Sequence, residues 1–319
     1  MAKILVTGGA GFIGSHLSET LLRQGQEVIC LDNFNDYYNP VIKRNSISWS
    51  QGQSNYTLIE GDILDLDLLR QIFADYKFDI VVHLAARAGV RPSILAPLLY
   101  QQVNVEGTTN LLEMAKEFRT QKFIFASSSS VYGENEKVPF SEKDPVDHPI
   151  SPYASSKKAC ELICYTYHHL YGIPITCLRF FTVYGPRQRP DMAIHKFTQA
   201  IKIGEQITMY GDGSSRRDYT YITDIVEGIC KSIDYCSDYQ IYNLGESKTI
   251  QLRELIQLIA KCLGQEAKIQ KLAMQPGDVP ITFADITNAK KEISYHPKVD
   301  IEQGIAKFVD WFNADNSHA

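Results

Sequence analysis

No apolar run in this chain approaches the roughly 20 residues that a bilayer span requires, so nothing in it reads as a transmembrane helix. A disulfide framework is missing too, because seven cysteines at irregular spacing in 319 residues do not read as paired staples. Neither sign of charge is in large excess. The formal net charge of −5 argues against a surface for nucleic acid or another polyanion, so an anionic ligand needs local arginines. There is no internal repeat and no low-complexity segment. The chain starts directly on a strand-like run, which leaves no room for a signal peptide, and the expected location is a reducing cytoplasm. Cys160, Cys164 and His168 recur every four residues, but that stripe fits a buried or interface helix face, and no metal is expected.

What is present is apolar material in a regular order. The chain is 44% hydrophobic, enough for one large or two ordinary domains. Short apolar runs at 3–7, 27–31, 56–60, 79–84 and 122–127 alternate with helix-like stretches, two of them long, at 93–118 and 153–171. Strands alternating with helices predict βαβ units and a parallel α/β sheet covered on both faces. After about residue 180 the alternation weakens and Pro186, Pro190, Gly211, Gly213 and Gly245 punctuate shorter elements. The expected division is a doubly wound, Rossmann-type nucleotide-binding domain over 1–180, to which 221–245 returns. Residues 181–319 then form mainly a smaller α/β substrate domain.

Thr7-Gly8-Gly9-Ala10-Gly11-Phe12-Ile13-Gly14 follows a predicted strand and opens a predicted helix. In that context Gly8 makes the tight turn, Gly11 admits a pyrophosphate against the backbone, and Gly14 lets helix and strand pack closely. Asp32 ends the second strand, where a carboxylate accepts from the adenosine ribose and repels a 2′-phosphate, so NAD is the expected cofactor. Asp62-Ile63 and Leu84-Ala85-Ala86 end the third and fourth strands beside the same path.

The chemistry is expected further on. Tyr153 and Lys157 lie one helical turn apart, so phenol and ammonium share a face. A cation beside a phenol favours the phenolate and makes a general base. Ser127-Ser128-Ser129-Ser130 closes the fifth strand at the carboxyl edge of the sheet, where a hydroxyl can relay a proton.

Taken together, the glycine loop, Asp32, the serine run before Val131-Tyr132-Gly133 and Tyr153-x-x-x-Lys157 resemble the extended short-chain dehydrogenase/reductase family of nucleotide-sugar epimerases and dehydratases. The resemblance implies a catalytic set of Ser128, Tyr153 and Lys157, with Asn104 supporting it and Phe181 at the nicotinamide. It also implies cofactor contacts from Phe12, Ile13, Asn33, Asn35 and Arg87. Dehydratases of the family carry an Asp-Glu pair where Ser129 and Ser130 stand. The segments 180–192, 274–280, 32–38 and 86–91 are similar to those of UDP-glucuronate 4-epimerases.

That subgroup implies a UDP-sugar substrate with a C6 carboxylate. Arg189 is then its expected partner, with Thr182, Ser129 and Ser130, and Arg187 is a less favoured alternative. Arg217 is expected at the diphosphate, Thr208 and Tyr210 at the uracil, and Arg91, Gln275 and Asp278 at further substrate groups. UDP-glucose/UDP-galactose 4-epimerase and UDP-glucuronate decarboxylase are alternative readings. A catalytically idle NAD-sensing scaffold is a fourth, although such relatives usually lose the Tyr or the Lys. The resemblance further implies a homodimer formed through the two long helices.

Overall fold

The computed structural model describes residues 1–273 and 279–314. Its centre is a seven-stranded sheet in which every neighbouring pair runs parallel. The strands are β1 (Lys3–Thr7), β2 (Glu27–Asp32), β3 (Tyr56–Glu60), β4 (Ile80–His83), β5 (Lys122–Ser128), β6 (Ile175–Phe180) and β7 (Tyr239–Leu244). Their spatial order is β7-β6-β5-β4-β1-β2-β3. The winding reverses between β1 and β4, and folds of this type bind ligands beyond the carboxyl ends of the strands at that crevice.

The strands read as almost unbroken apolar runs because both faces are covered. Ile4 and Val6 of β1 join one buried cluster with Leu17 and Leu21 of helix α1 (Phe12–Arg23). Leu5, between them, joins the other, with Leu69 and Phe73 of α2 (Leu66–Tyr76) and Leu111 of α3 (Gly107–Glu117). The period of two thus separates the two helical layers. Cys160 and Cys164 of α4 (Pro152–Tyr171) are fully buried in the second cluster. Ser151 caps α4 by accepting from the Ala154 amide at 3.1 Å, and Gly172, at φ +68, ends it.

One expected element is broken. The stretch 93–118 is not a single long helix: Val90–Leu95 and Pro97–Tyr100 are short helices, and Gln101–Glu106 is a π-helical turn leading into α3. Pro97 is the cause of the first break, since it drives Ala96 out of the helical region to φ −135, ψ 55. The π turn carries Asn104 at its centre.

Beyond β6 the described residues build three small two-stranded sheets. Thr182–Tyr184 pairs with Tyr219–Tyr221, Gln206–Tyr210 with Lys268–Leu272, and Arg216–Arg217 with Ile250–Gln251. Between them α5 (Ile222–Tyr235) packs back on the sheet and leads into β7, the edge strand. None of the described helices is long and apolar enough to cross a membrane.

Candidate active site

At the switch point Thr7 and His83 stand opposite each other at the carboxyl ends of β1 and β4. Thr7 Oγ1 lies 2.7 Å from His83 Nδ1, and His83 Nε2 lies 3.0 Å from Thr108 Oγ1. Burial, helped by the Lys157 charge, pushes the His83 pKa down to about 3, so the ring is neutral. The glycine turn follows β1. Gly8 sits at φ +67, and a Cβ there would come 2.8 Å from the Ala85 amide nitrogen. A Cβ on Gly14 would come 2.3 Å from the Gly8 carbonyl oxygen. No side chain caps α1, so its first-turn amides have no side-chain acceptor and its Phe12, Ile13 and Gly14 border a cavity of about 330 Å³. An uncapped helix start opening on a cavity is an anion site by construction.

Every expected cofactor residue except Asn104 and Phe181 borders this cavity: Gly8, Gly11 and the α1 start, Asp32, Asn33, Asn35, Asp62, Ile63, Leu84, Ala85, Ala86, Arg87, Tyr153 and Lys157. Asp32 is buried. Its Oδ2 accepts from the Ala10 amide at 3.2 Å and its Oδ1 from the Phe34 amide at 2.9 Å. Asn33 donates to Asp62 at 2.7 Å and accepts from Asn35, which orders the turn after β2. A groove walled by glycine backbone, strand-end carboxylates and a helix start has the chemistry to hold a dinucleotide.

Asn104 acts from behind. Its Oδ1 accepts from the Arg87 amide at 2.7 Å, while its Nδ2 donates to the Arg87 carbonyl and to Ser156 Oγ. Its own carbonyl accepts from the Thr108 hydroxyl and from Cys160 Sγ. Asn104 therefore ties the loop after β4 to α4 one residue before Lys157. Lys157 is buried, and its ammonium donates to the Ala126 carbonyl at 2.7 Å and stands 6.0 Å from the Tyr153 ring centre.

Tyr153 borders a second cavity as well, of about 430 Å³, with Ser128, Ser129, Ser130, Phe181, Thr182, Arg189 and Arg217. Ser128 Oγ accepts from both the Ser130 amide (3.1 Å) and the Ser130 hydroxyl (2.9 Å), so its own proton points elsewhere. Beneath the serine run lies a buried ion pair. Glu161 accepts from Ser127 Oγ at 2.6 Å and from Arg179 Nε and Nη2, both at 2.8 Å. Burial works to raise the Glu161 pKa, but the Arg179 fork outweighs it and holds the carboxyl below its usual range. Arg179 Nη1 also donates to the Tyr132 hydroxyl at 3.0 Å.

Among the described lining residues of the second cavity, Arg189 and Arg217 are the charged ones, and no carboxylate lines it. Arg189 borders both cavities, but its Nε and Nη2 are held by Asp191 at 2.9 Å each, and its guanidinium lies 5.5 Å from the Tyr37 ring centre. Arg187 points away to Glu19 of α1, at 2.6 Å. Arg216 is tied to Thr249. Arg91 and Tyr210 come together, guanidinium over ring at 4.8 Å, outside the lining of either cavity, as does Thr208. Gln275 and Asp278 lie outside the described residues.

Three contributors were not among the expected site residues, although the segment 32–38 was itself similar to the family's. Tyr37, Tyr38 and Lys43 border the first cavity. Each sits in a polar stretch without apolar period, and only a buried Asp32 in need of a partner hints at one of them.

Comparison with known proteins agrees with this geometry. Residues 5–308 match the family model described as GDP-mannose 4,6 dehydratase. The chain is 43% identical to a UDP-glucuronate 4-epimerase of Thermodesulfobacterium geofontis, over 98% of this chain and 96% of that one. Its fold is similar to that of UDP-glucuronic acid 4-epimerase from Bacillus cereus, solved in complex with UDP-glucuronic acid and NAD. There the TM-score is 0.92 at 36% identity, covering 98% of this chain and 99% of that one. A dTDP-glucose 4,6-dehydratase of Streptomyces venezuelae, solved with NAD, superposes with a TM-score of 0.92 at 30% identity, covering 98% and 97%. The glycine turn at the switch point, the buried lysine on α4 and these matches across nearly the whole chain make it a member of the extended short-chain dehydrogenase/reductase family of nucleotide-sugar epimerases and dehydratases.

Proposed function

We propose that this chain is an NAD-dependent UDP-sugar 4-epimerase that inverts C4 of UDP-glucuronate to give UDP-galacturonate. The observation that carries the sugar choice is the lining of the second cavity: two arginines, several hydroxyls, those of Ser128, Ser129, Ser130 and Thr182 among them, and no carboxylate among the described residues. An anionic sugar on a diphosphate suits such a wall, because charge-assisted hydrogen bonds are the strong ones. Among the described residues, the same lining offers no carboxylic acid for the elimination that a dehydratase performs. The relatives named above that act on UDP-glucuronate support the reading.

NAD, when bound, supplies a hydride acceptor that becomes the donor of the same hydride. The chain's own residues handle everything else. Tyr153 takes the proton of the C4 hydroxyl and later returns it, with Ser128 donating to the same oxygen. Lys157 keeps a positive charge at the floor of the nicotinamide site. The sugar turns about its link to the diphosphate while Arg217 keeps hold of the phosphates. Ser129, Thr182 and Nη1 of Arg189 hold the C6 carboxylate, while Ser130, whose hydroxyl is already given to Ser128, orients that serine instead of the sugar. In the 4-keto state the sugar is a β-keto acid. It loses carbon dioxide when the C5–carboxylate bond aligns with the carbonyl π system, and a pinned carboxylate stays out of that alignment. Residues 1–180 with 221–245 serve the dinucleotide, and 181–319 mainly the nucleotide sugar. The seven free thiols suit a reducing cytoplasm.

The active form in this reading is a homodimer. Leu95 and Leu98 are 88% and 83% exposed on short helices that pack against α4, whose Leu162 and Leu170 are 57% and 60% exposed. Exposed leucines grouped on neighbouring helices mark an interaction face. Sedimentation should give a dimer that Leu98→Glu with Leu162→Glu splits, and a monomeric parent protein would count against it.

The deciding experiment is to incubate the purified protein separately with UDP-glucuronate, UDP-glucose and UDP-N-acetylglucosamine and to resolve the products by NMR. UDP-galacturonate from the first alone is the expected result. UDP-galactose from the second at a higher rate would move the assignment to UDP-glucose 4-epimerase, and a UDP-pentose as main product to a decarboxylase. Failure with all three while NAD stays bound would favour an idle scaffold.

A further inference from the structure

Asp32 does not stand alone at the end of β2. Lys43, in the short helix Pro40–Ser46, reaches back to it, with Nζ at 3.1 Å from Oδ1. Both side chains are almost fully buried, at 7% and 4% exposure. The helix is set by Asn39, whose side chain accepts from the Val41 amide, and by Pro40 in its first turn. Tyr38 covers the ammonium from another side, with its ring centre 5.4 Å away. Lys43 is also part of the wall of the first cavity, next to Asp32, Asn33 and Gly61. A buried lysine bordering a nucleotide groove, with one carboxylate partner that itself faces the ribose, has a second possible partner whenever a phosphate occupies that place.

We propose that Lys43 is a cofactor-specificity residue, acting jointly with Asp32 on the adenosine ribose. With Asp32 present, the ammonium is engaged by the carboxylate and the pair accepts a ribose bearing only hydroxyls. A 2′-phosphate would meet the Asp32 charge and break the pair. With Asp32 replaced by a small neutral residue, the same ammonium becomes a ready cation for the 2′-phosphate. The neighbouring Arg44, stacked 4.2 Å over Phe34 and paired with Glu60 at 3.0 Å, is engaged elsewhere and half exposed. The proposal therefore concerns Lys43 and not basic charge in general. It rests on the reading of Asp32 as the ribose acceptor.

The test is direct binding of NADH and NADPH, followed by nucleotide fluorescence, to the parent protein and to Asp32→Ser, Asp32→Ser/Lys43→Met and Asp32→Ser/Lys43→Arg. The parent protein should prefer NADH. Asp32→Ser should weaken NADH and gain NADPH by about tenfold or more, the value of one charge-assisted contact. Adding Lys43→Met should abolish that gain with little further change for NADH, and Lys43→Arg should preserve it. Equal NADPH binding with and without Lys43→Met overturns the role of Lys43 while leaving Asp32 in place. Unchanged NADH affinity in Asp32→Ser overturns the ribose reading itself. Asp32→Asn, which keeps the shape and loses the charge, is the second variant. If Asp32→Ser does not fold, NADPH binding by Asp32→Asn must rise and must fall again when Lys43→Met is added, or the proposal fails.

Discussion

Ser130 donates to Ser128 twice, from its amide at 3.1 Å and from its hydroxyl at 2.9 Å. The acceptor capacity of the Ser128 oxygen is thus filled from behind, and its one proton is left to face the cavity. Ser128→Ala should lower turnover by roughly a hundredfold or more, as for loss of a proton-relay group. Ser130→Ala should lower it about tenfold with KM little changed, because it removes one of two orienting bonds. Equal losses in both variants would contradict the orienting role.

Tyr153→Phe removes the proposed base and keeps the ring that packs edge-on against Tyr100. Turnover should fall by roughly 10² to 10⁴, while nucleotide extracted from the purified variant remains at the parent level. Near-normal turnover would remove Tyr153 from the chemistry.

Arg189→Ala should lower activity on UDP-glucuronate by about tenfold or more and raise the share of UDP-pentose in the products. Because Asp191 already holds two of the guanidinium nitrogens, Asp191→Ala should disturb the same ratio in the same direction through loss of positioning. An unchanged ratio in both variants would assign the pair a purely structural role.

His83 gives a pH dependence with a defined sign. Its folded pKa is pushed down to about 3 from 6.5 by burial and Lys157. Between those values the unfolded chain binds the proton and the folded one does not, so stability is lost as pH falls below 6.5. The slope is about 1.4 kcal/mol per pH unit in that window. Urea titrations of the parent and of His83→Gln from pH 7 to 5 isolate it by difference. Parallel curves would show that His83 does not stay neutral.

Glu161→Gln leaves Arg179 buried without its carboxylate. Stability should drop by about 3–5 kcal/mol, read as a shift in denaturant midpoint. Adding Arg179→Met should recover part of it. A loss under about 1 kcal/mol would mean that water replaces the lost partner.

Legibility in the sequence followed locality. Gly8 to Gly14, Asp32 and the Tyr153–Lys157 spacing are readable because one turn or one helix places each group. The strands β1 to β5 were readable because a doubly covered sheet demands unbroken apolar runs. The π turn at Gln101–Glu106 was hidden, since a single extra residue per turn barely disturbs a helical pattern. Lys43 and the Tyr37 ring were hidden for another reason. Their meaning arises only when a helix and a loop fold back over β2, and a polar stretch on its own looks like solvated surface. Arg91 and Tyr210 were both expected near the substrate, but their stacking on each other joins segments more than a hundred residues apart.

The two cavities share one wall, with Tyr153 in it. In the proposed reaction one base serves two neighbouring chambers. The sugar alone is exchanged, while the hydride taken from it is given back within a single visit. Such an enzyme draws no reducing equivalents from the cell and returns none. Its output then depends on sugar supply and not on the metabolic balance between oxidised and reduced nicotinamide.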